Sequence, residues 1–275
     1  MRIRTTVPLL AALLGIGAAA RAQLAVDANT VALWHFDEGS GGTAHDATSN
    51  HLDLALARYP ADGSQGAQLP TWSPQGCFGG GLHFAKGAND QTGGYTSFTA
   101  QLDFPQNAYT VEMWIATQAL YADPFVMGFV QCSVEVDFDG HISYETGDGG
   151  SWSPQVISSA VVTDGLWHYV AVTYDGAMAR VFVDGQPDGS AAFTGTTGTI
   201  TATTYVGGRP SNDFVDGTMD EVRLSNVARS ANEIADNWTT LSTQCPEPSS
   251  DAEIEAAIAV LFVTGRTRIR RHRST

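Results

Sequence analysis

Between Gln23 and Leu224 the apolar residues come in short runs, alternating or continuous, broken by Gly, Asp, Asn and Pro, with almost no helical period. That rhythm builds strands, because side chains on an extended chain point to opposite faces at every second residue. It predicts strands over Val31–Phe36, Gly81–Phe84, Tyr109–Thr117, Phe125–Val136, His141–Tyr144, Val156–Ser159, Trp167–Tyr174, Ala179–Val183, Tyr205–Gly207 and Gly217–Leu224. Short strands of this kind in roughly 220 residues point to one all-β domain, a β-sandwich. Alternation places Tyr109, Val111, Met113 and Ile115 on a core face, with Glu112 and Trp114 on the other. Trp34 with Phe36, and Val170 with Val172, read as core in the same way, and His168 as a hydrogen-bonded structural histidine.

Asp175-Gly176 tolerates the positive φ of a tight turn and joins two of these runs into a hairpin. Asp139-Gly140 and Asp184-Gly185 repeat that chemistry at two further strand ends. After the last strand the rhythm becomes helical from Ser230 to Leu241. Ser230 and Glu233 form a capping box, and Ile234 and Trp238 face the sandwich, so a short helix closes one end.

The 29 acidic and 14 basic residues leave a formal net charge of -15, and many of the basic ones crowd into the termini. The acidic middle repels phosphate backbones and excludes nucleic acid as a partner, while its loop carboxylates admit a divalent cation. Arg2 and Arg4 precede an apolar run, Val7–Ala20, followed by small residues at Ala20 and Ala22. This predicts a signal peptide over residues 1–22, cleaved after Ala22, and a secreted or cell-surface protein; a retained anchor is the weaker reading of so short a run. Export permits disulfides. Of the three cysteines, Cys132 lies inside a strand as a small hydrophobe, which favours pairing Cys77 with Cys245.

Four blocks carry a resemblance. They are LWHFDEGSG at 33–41 with Asp46 following, FGGGLHF at 78–84, GLWHYVAVTYDG at 165–176 with VFVDG at 181–185, and GTMDEVRL at 217–224 followed by Ala231–Trp238. Their order and spacing resemble the LamG-like jelly rolls of the concanavalin A-like lectin/glucanase superfamily, over a domain set at residues 23–245. The resemblance implies an all-β, two-sheet antiparallel jelly-roll β-sandwich with its sheets packed face to face, and recognition rather than catalysis. Residues 246–275 form a tail that begins Pro246-Glu-Pro248, continues through the apolar Ala256–Val263 and ends in Arg266, Arg268, Arg270, Arg271 and Arg273. That order resembles a PEP-CTERM sorting signal, so membrane contact is expected only through terminal sorting segments. An amphipathic tail helix with no sorting role is the alternative.

Three sets of residues could carry chemistry. Strand alternation puts Glu135, Asp137 and Asp139 on one face, similar to the acidic ladder of retaining glycosidases of the laminarinase and lichenase type. Here the last position is an Asp that opens an Asp-Gly turn, so the ladder reads as a strand end. Asp37 and Asp220, with carbonyls around Glu38, Gly39 and Gly87, are the expected ligands of a structural calcium ion, unless these carboxylates cap backbone N–H groups instead. Trp72, Asp148 and Trp152 lie in Gly-, Ser- and Pro-rich stretches and are the expected ligand contacts, unless the tryptophans fold back on the sandwich. The function expected is an exported, non-catalytic binding or adhesion protein that recognises an extracellular polysaccharide or glycoprotein, in a setting such as a biofilm matrix. A glycoside hydrolase and a purely structural matrix protein are the alternatives.

Overall fold

The computed structural model describes residues 22–246 apart from 105–106, 129–130, 149, 197–198 and 211–212. The expected leader and tail lie, but for Ala22 and Pro246, outside the described residues. Alternating and apolar runs extend into β1 (Thr30–Trp34), β2 (Thr43–Ala44), β3 (Leu54–Tyr59), β4 (Thr71–Ser73), β5 (Gly81–Phe84), β6 (Gly93–Asp103), β7 (Tyr109–Thr117) and β8 (Ala122–Met127). They continue as β9 (Cys132–Val136), β10 (His141–Thr146), β11 (Val156–Val161), β12 (Trp167–Tyr174), β13 (Met178–Val183), β14 (Gln186–Ala192), β15 (Thr199–Val206) and β16 (Gly217–Ser225). One helix, α1 (Ala231–Leu241), follows.

The strands form two antiparallel sheets. The first runs β14-β13-β12-β7-β16-β5-β4, with β1 also paired to β16; the second runs β11-β10-β9-β8-β15-β6-β3-β2. Their facing sides interdigitate into the main core, where Trp34, Phe36, Phe84, Tyr109, Phe125 and Tyr174 are fully buried. Cys132 is part of this core, and burial pushes its thiol up to about 12, so it behaves as a small apolar side chain.

A second apolar cluster lies on the far side of the first sheet. There Leu33, Trp114, Tyr169 and Phe182 meet Ile234 and Leu241 of α1. Trp238 stacks on Trp114 with ring centroids 5.3 Å apart. The helix starts at Ser230, whose side chain accepts from Glu233 N–H while the Glu233 side chain accepts from the cap N–H. A disulfide between Cys77 and Cys245 ties the chain beyond α1 to the loop before β5.

The expected run Phe125–Val136 divides in two, because Gly128 adopts φ 61° and sends its N–H to Thr203 O. Strands β2, β3, β4, β6 and β14 went unread in the sequence. Those at the edges, such as β14 with Pro187, Asp188 and Gly189, have solvent on one side and keep the polar and turn-forming residues that argue against a strand. The hairpin at Asp175-Gly176 forms, with Asp175 Oδ1 accepting from Ala177 N–H and Met178 N–H. His168 bridges Asp184 and Asp164 at 2.9 and 3.1 Å, a structural use of the ring.

Candidate functional site

Strand β16 is shared end to end by two neighbours on one edge. β5 pairs with Gly217–Met219, and β1 pairs with Val222–Ser225. At the joint the register slips, and Glu221 takes φ 51°, a strained conformation for a residue with a side chain. Asp220 and Asp37 sit at this joint and hold the incoming loops. Asp220 accepts from Phe78 N–H (2.9 Å) and Glu221 N–H (2.8 Å); Asp37 accepts from Gly80 N–H (2.6 Å) and the Gln23 amide (2.7 Å). All four oxygens thus have donors, three of them backbone N–H groups. Burial, with Glu221 alongside, pushes the Asp220 carboxyl well above the usual range. Gly87 lies elsewhere, against Thr92 and Gln65. Among the described residues, no three His, Cys, Asp or Glu side chains are grouped to hold a metal ion.

The three-rung acidic ladder does not form: Glu135 and Asp137 line one cleft but Asp139 does not join them, which corrects the placement of all three on one face. Strand β9 ends at Val136. Asp137 then opens a turn, its Oδ1 accepting from Asp139 N–H and His141 N–H and its carbonyl from Gly140 N–H, so Asp139 is left exposed at the tip. The Asp-Gly turn chemistry outcompetes the strand alternation. Trp72 is likewise on a strand, β4, rather than in a loop, and its indole N–H donates to Gly41 O at 2.9 Å. Trp152 is 42% exposed beside Asp148 at the β10–β11 connection. Asp148 spends its Oδ1 on Gly150 N–H and Ser151 N–H. Trp72 belongs to the first sheet and this pair to the second, so the three expected contacts are not assembled into one site.

A different set of residues is assembled. The register of the first sheet lines up Thr71, His83, Thr218, Ala116 and Trp167 in one row across β4, β5, β16, β7 and β12. All face away from the core, since their strand neighbours Leu82, Phe84, Met219 and Ile115 point into it. Beyond the reach of α1 the row from His83 to Trp167 floors an open groove of about 400 Å³ walled by Gln75, Gln118 and Asp216. His83 Nδ1 lies 3.3 Å from Thr218 Oγ1, and Asp216 is the lone carboxylate of the lining. Amides, hydroxyls and an imidazole beside an indole suit a neutral hydroxylated ligand. One carboxylate does not suffice for two-carboxylate glycoside hydrolysis. The groove was missed in the sequence, although a polar His83 between two core positions was its visible trace.

At the rim of the second sheet a smaller cleft of about 160 Å³ is lined by Tyr121, Asp123, Glu135, Asp137, Phe138 and Asp213, with Gln155 and Ile157 alongside. Asp123 pairs with Arg209 at 2.8 Å. Burial pushes its carboxyl up to about 7, with Arg209 pulling against burial and Glu135 and Asp213 adding to it.

This architecture recurs in solved structures. The binding domain of a paraclostridial mosquitocidal protein matches with a TM-score of 0.57 at 13% identity, over 76% of this chain and 52% of that one. The binding domain of botulinum neurotoxin DC, in complex with SialylT, matches at 0.57 and 10%, over 78% and 52%. Domain 4 of an extracellular arabinanase from Geobacillus stearothermophilus, in complex with arabinotriose, matches at 0.56 and 17%, over 76% and 98%. The chain thus spans about half the length of the two toxin binding domains and nearly all of the arabinanase domain. At these identities the fold is what is shared. No curated protein matches the chain in sequence. The model of one family matches residues 90–235, across β6 to β16 and into α1, and with the two-sheet topology this places the chain in the concanavalin A-like lectin/glucanases superfamily.

Proposed function

We propose that this chain is an exported, non-catalytic module that holds a neutral glycan, free or on a glycoprotein, in the groove floored by His83, Thr218 and Trp167. The observation that carries this reading is the composition of that groove: hydrogen-bonding side chains without formal charge around an indole, with one carboxylate at its wall. The arabinotriose complex of the arabinanase domain supports a sugar on this fold. Export rests on the basic and apolar leader, and a biofilm matrix is a setting in which such a module has polysaccharide to bind. No helix among the described residues is long and apolar enough to cross a membrane. Calcium at Asp37 and Asp220 is not needed by this reading, since both carboxylates already fasten backbone.

A glycan array followed by calorimetry on the best oligosaccharide tests it. His83→Ala and Gln118→Ala should each weaken binding by about tenfold, equivalent to about 1.4 kcal/mol, with the melting temperature unchanged. Thr218→Arg should block the groove. Undiminished binding in all three variants removes the groove from the reading, and release of shortened sugars by the parent chain makes the protein a hydrolase instead.

A further inference from the structure

We propose that the cleft at the rim of the second sheet is a receptor for a primary ammonium group on an aliphatic stem, bound between Asp123, Glu135 and the rings of Tyr121 and Phe138. This site is separate from the groove and does not depend on the glycan reading. Its centre is Asp123, whose side chain has no exposed surface. Oδ2 accepts from Arg209 Nε, and the backbone N–H of Asp123 is taken by Asp213 O. Oδ1, equally buried, has no donor among the described residues. A buried acceptor left so is unfavourable, and a ligand that supplies an N–H relieves it.

The charges around that oxygen choose the ligand. Asp123, Glu135, Asp137 and Asp213 contribute four carboxylates to the lining. Against them stand Arg209, engaged with Asp123, and Lys86, which faces Asp213 but whose Nζ is held by Asp90 and by the carbonyls of Leu120 and Tyr121. The balance is negative, so anions are repelled and a cation is drawn in. Among the described residues the carboxylates are not grouped as the coordination shell that a metal ion takes. The walls favour an organic cation. Tyr121 and Phe138 are 52% and 59% exposed, with ring centroids 6.3 Å apart, and offer π-faces to an ammonium group. Ile157, also exposed, gives methylene groups an apolar surface to lie on. A cleft of about 160 Å³ admits one such chain end rather than a sugar ring with its substituents.

Burial raises Asp123 to about 7 while Arg209 opposes it and Glu135 and Asp213 reinforce it. An arriving ammonium favours the ionised carboxylate, so binding should release a proton below pH 7 and strengthen as pH rises. The amine itself stays charged throughout, with a pKa of about 10.4 for a lysine side chain.

The test is calorimetric titration of the full chain with cadaverine and with Nα-acetyl-lysine methylamide at pH 6 and pH 8. Either amine binding more tightly at pH 8 than at pH 6, by up to about tenfold in all, supports the site. Which of them binds identifies the source as a free polyamine or a polypeptide side chain. The Nε-acetylated lysine derivative, equal in stem but uncharged, should bind at least about tenfold more weakly. Phe138→Ala and Glu135→Gln, at partly or fully exposed positions, should each weaken amine binding several-fold, and Asp123→Asn should flatten the pH dependence. Equal binding of the acetylated derivative, displacement of the amine by calcium, or unchanged affinity in the Phe138 and Glu135 variants overturns the proposal.

Discussion

Glu112 and Asp123 are both carboxylates with no exposed surface, one on the first sheet and one at the rim of the second, and they are treated in opposite ways. Glu112 lies beneath α1 and accepts from Arg223 Nε (2.7 Å), Arg223 Nη2 (2.8 Å), Asn237 Nδ2 (3.0 Å) and the Tyr169 hydroxyl, with Arg229 Nε 3.2 Å away. Arg223 goes on to Ala25 O and Arg229 to Asp27, so one side chain gathers the N-terminal segment, two strands and the helix. Asp123 has one cation, one oxygen with no donor among the described residues, and an open cleft that it lines. A carboxylate whose oxygens are all occupied is a fastening, whereas one left half-served at a surface opening is available to a ligand.

The strongest way to break this contrast is to neutralise Glu112. Glu112→Gln keeps the volume but leaves Arg223 and Arg229, both nearly inaccessible, without their shared counter-charge. Unfolding in denaturant should show a loss of about 3–5 kcal/mol. A loss below about 1 kcal/mol would mean that water reaches the arginines and that the site is not a closed fastening. The disulfide works on the same region from the other end. Replacing Cys77 and Cys245 together by Ser frees a loop spanning a sequence separation of 168 and should cost about 2–4 kcal/mol, read as a lower denaturant midpoint with the β-rich circular dichroism spectrum retained. Smaller again is Ser230→Ala, which removes the capping box of the helix that covers Glu112; about 1 kcal/mol is expected from the shift of the melting temperature.

The two regions also differ in how far the sequence reveals them. Trp114 and Glu112 share a strand face opposite the core residues, and the helix with Ile234 and Trp238 was readable from its period and cap. A cover for that face could therefore be inferred, although nothing in the spacing says that Arg223 and Arg229 converge on Glu112. The sandwich itself was legible because its central strands, β7 and β12, bury both faces and exclude polar breaks. The cleft was hidden for the opposite reason. Glu135 was visible as one rung of an acidic series, but its companions are Asp123, Arg209 and Asp213, from β8 and the β15–β16 connection, brought together only by strand order β9-β8-β15. The groove has the same cause: His83, Thr218 and Trp167 are far apart in the chain and meet through register alone.

The effect on stability whose sign separates the two carboxylates most sharply is that of Asp123→Asn. The unfolded carboxyl titrates near 3.8 and the folded one at about 7. Between these values the native state keeps a proton that the unfolded chain has released. The stability attached to Asp123 is therefore fully present below about pH 4 and is lost as pH rises through 7. Asparagine turns its oxygen to Arg209 and its amide to the cleft, without a charge to desolvate, so the variant should be no less stable than the parent at pH 8 and should lack this slope. The measurement is the difference between parent and variant unfolding free energies from pH 4 to pH 8, in which contributions common to both chains cancel. A destabilisation at pH 8 comparable to that of Glu112→Gln would show that the Arg209 pair is itself a closed fastening, and the contrast between the two carboxylates would collapse.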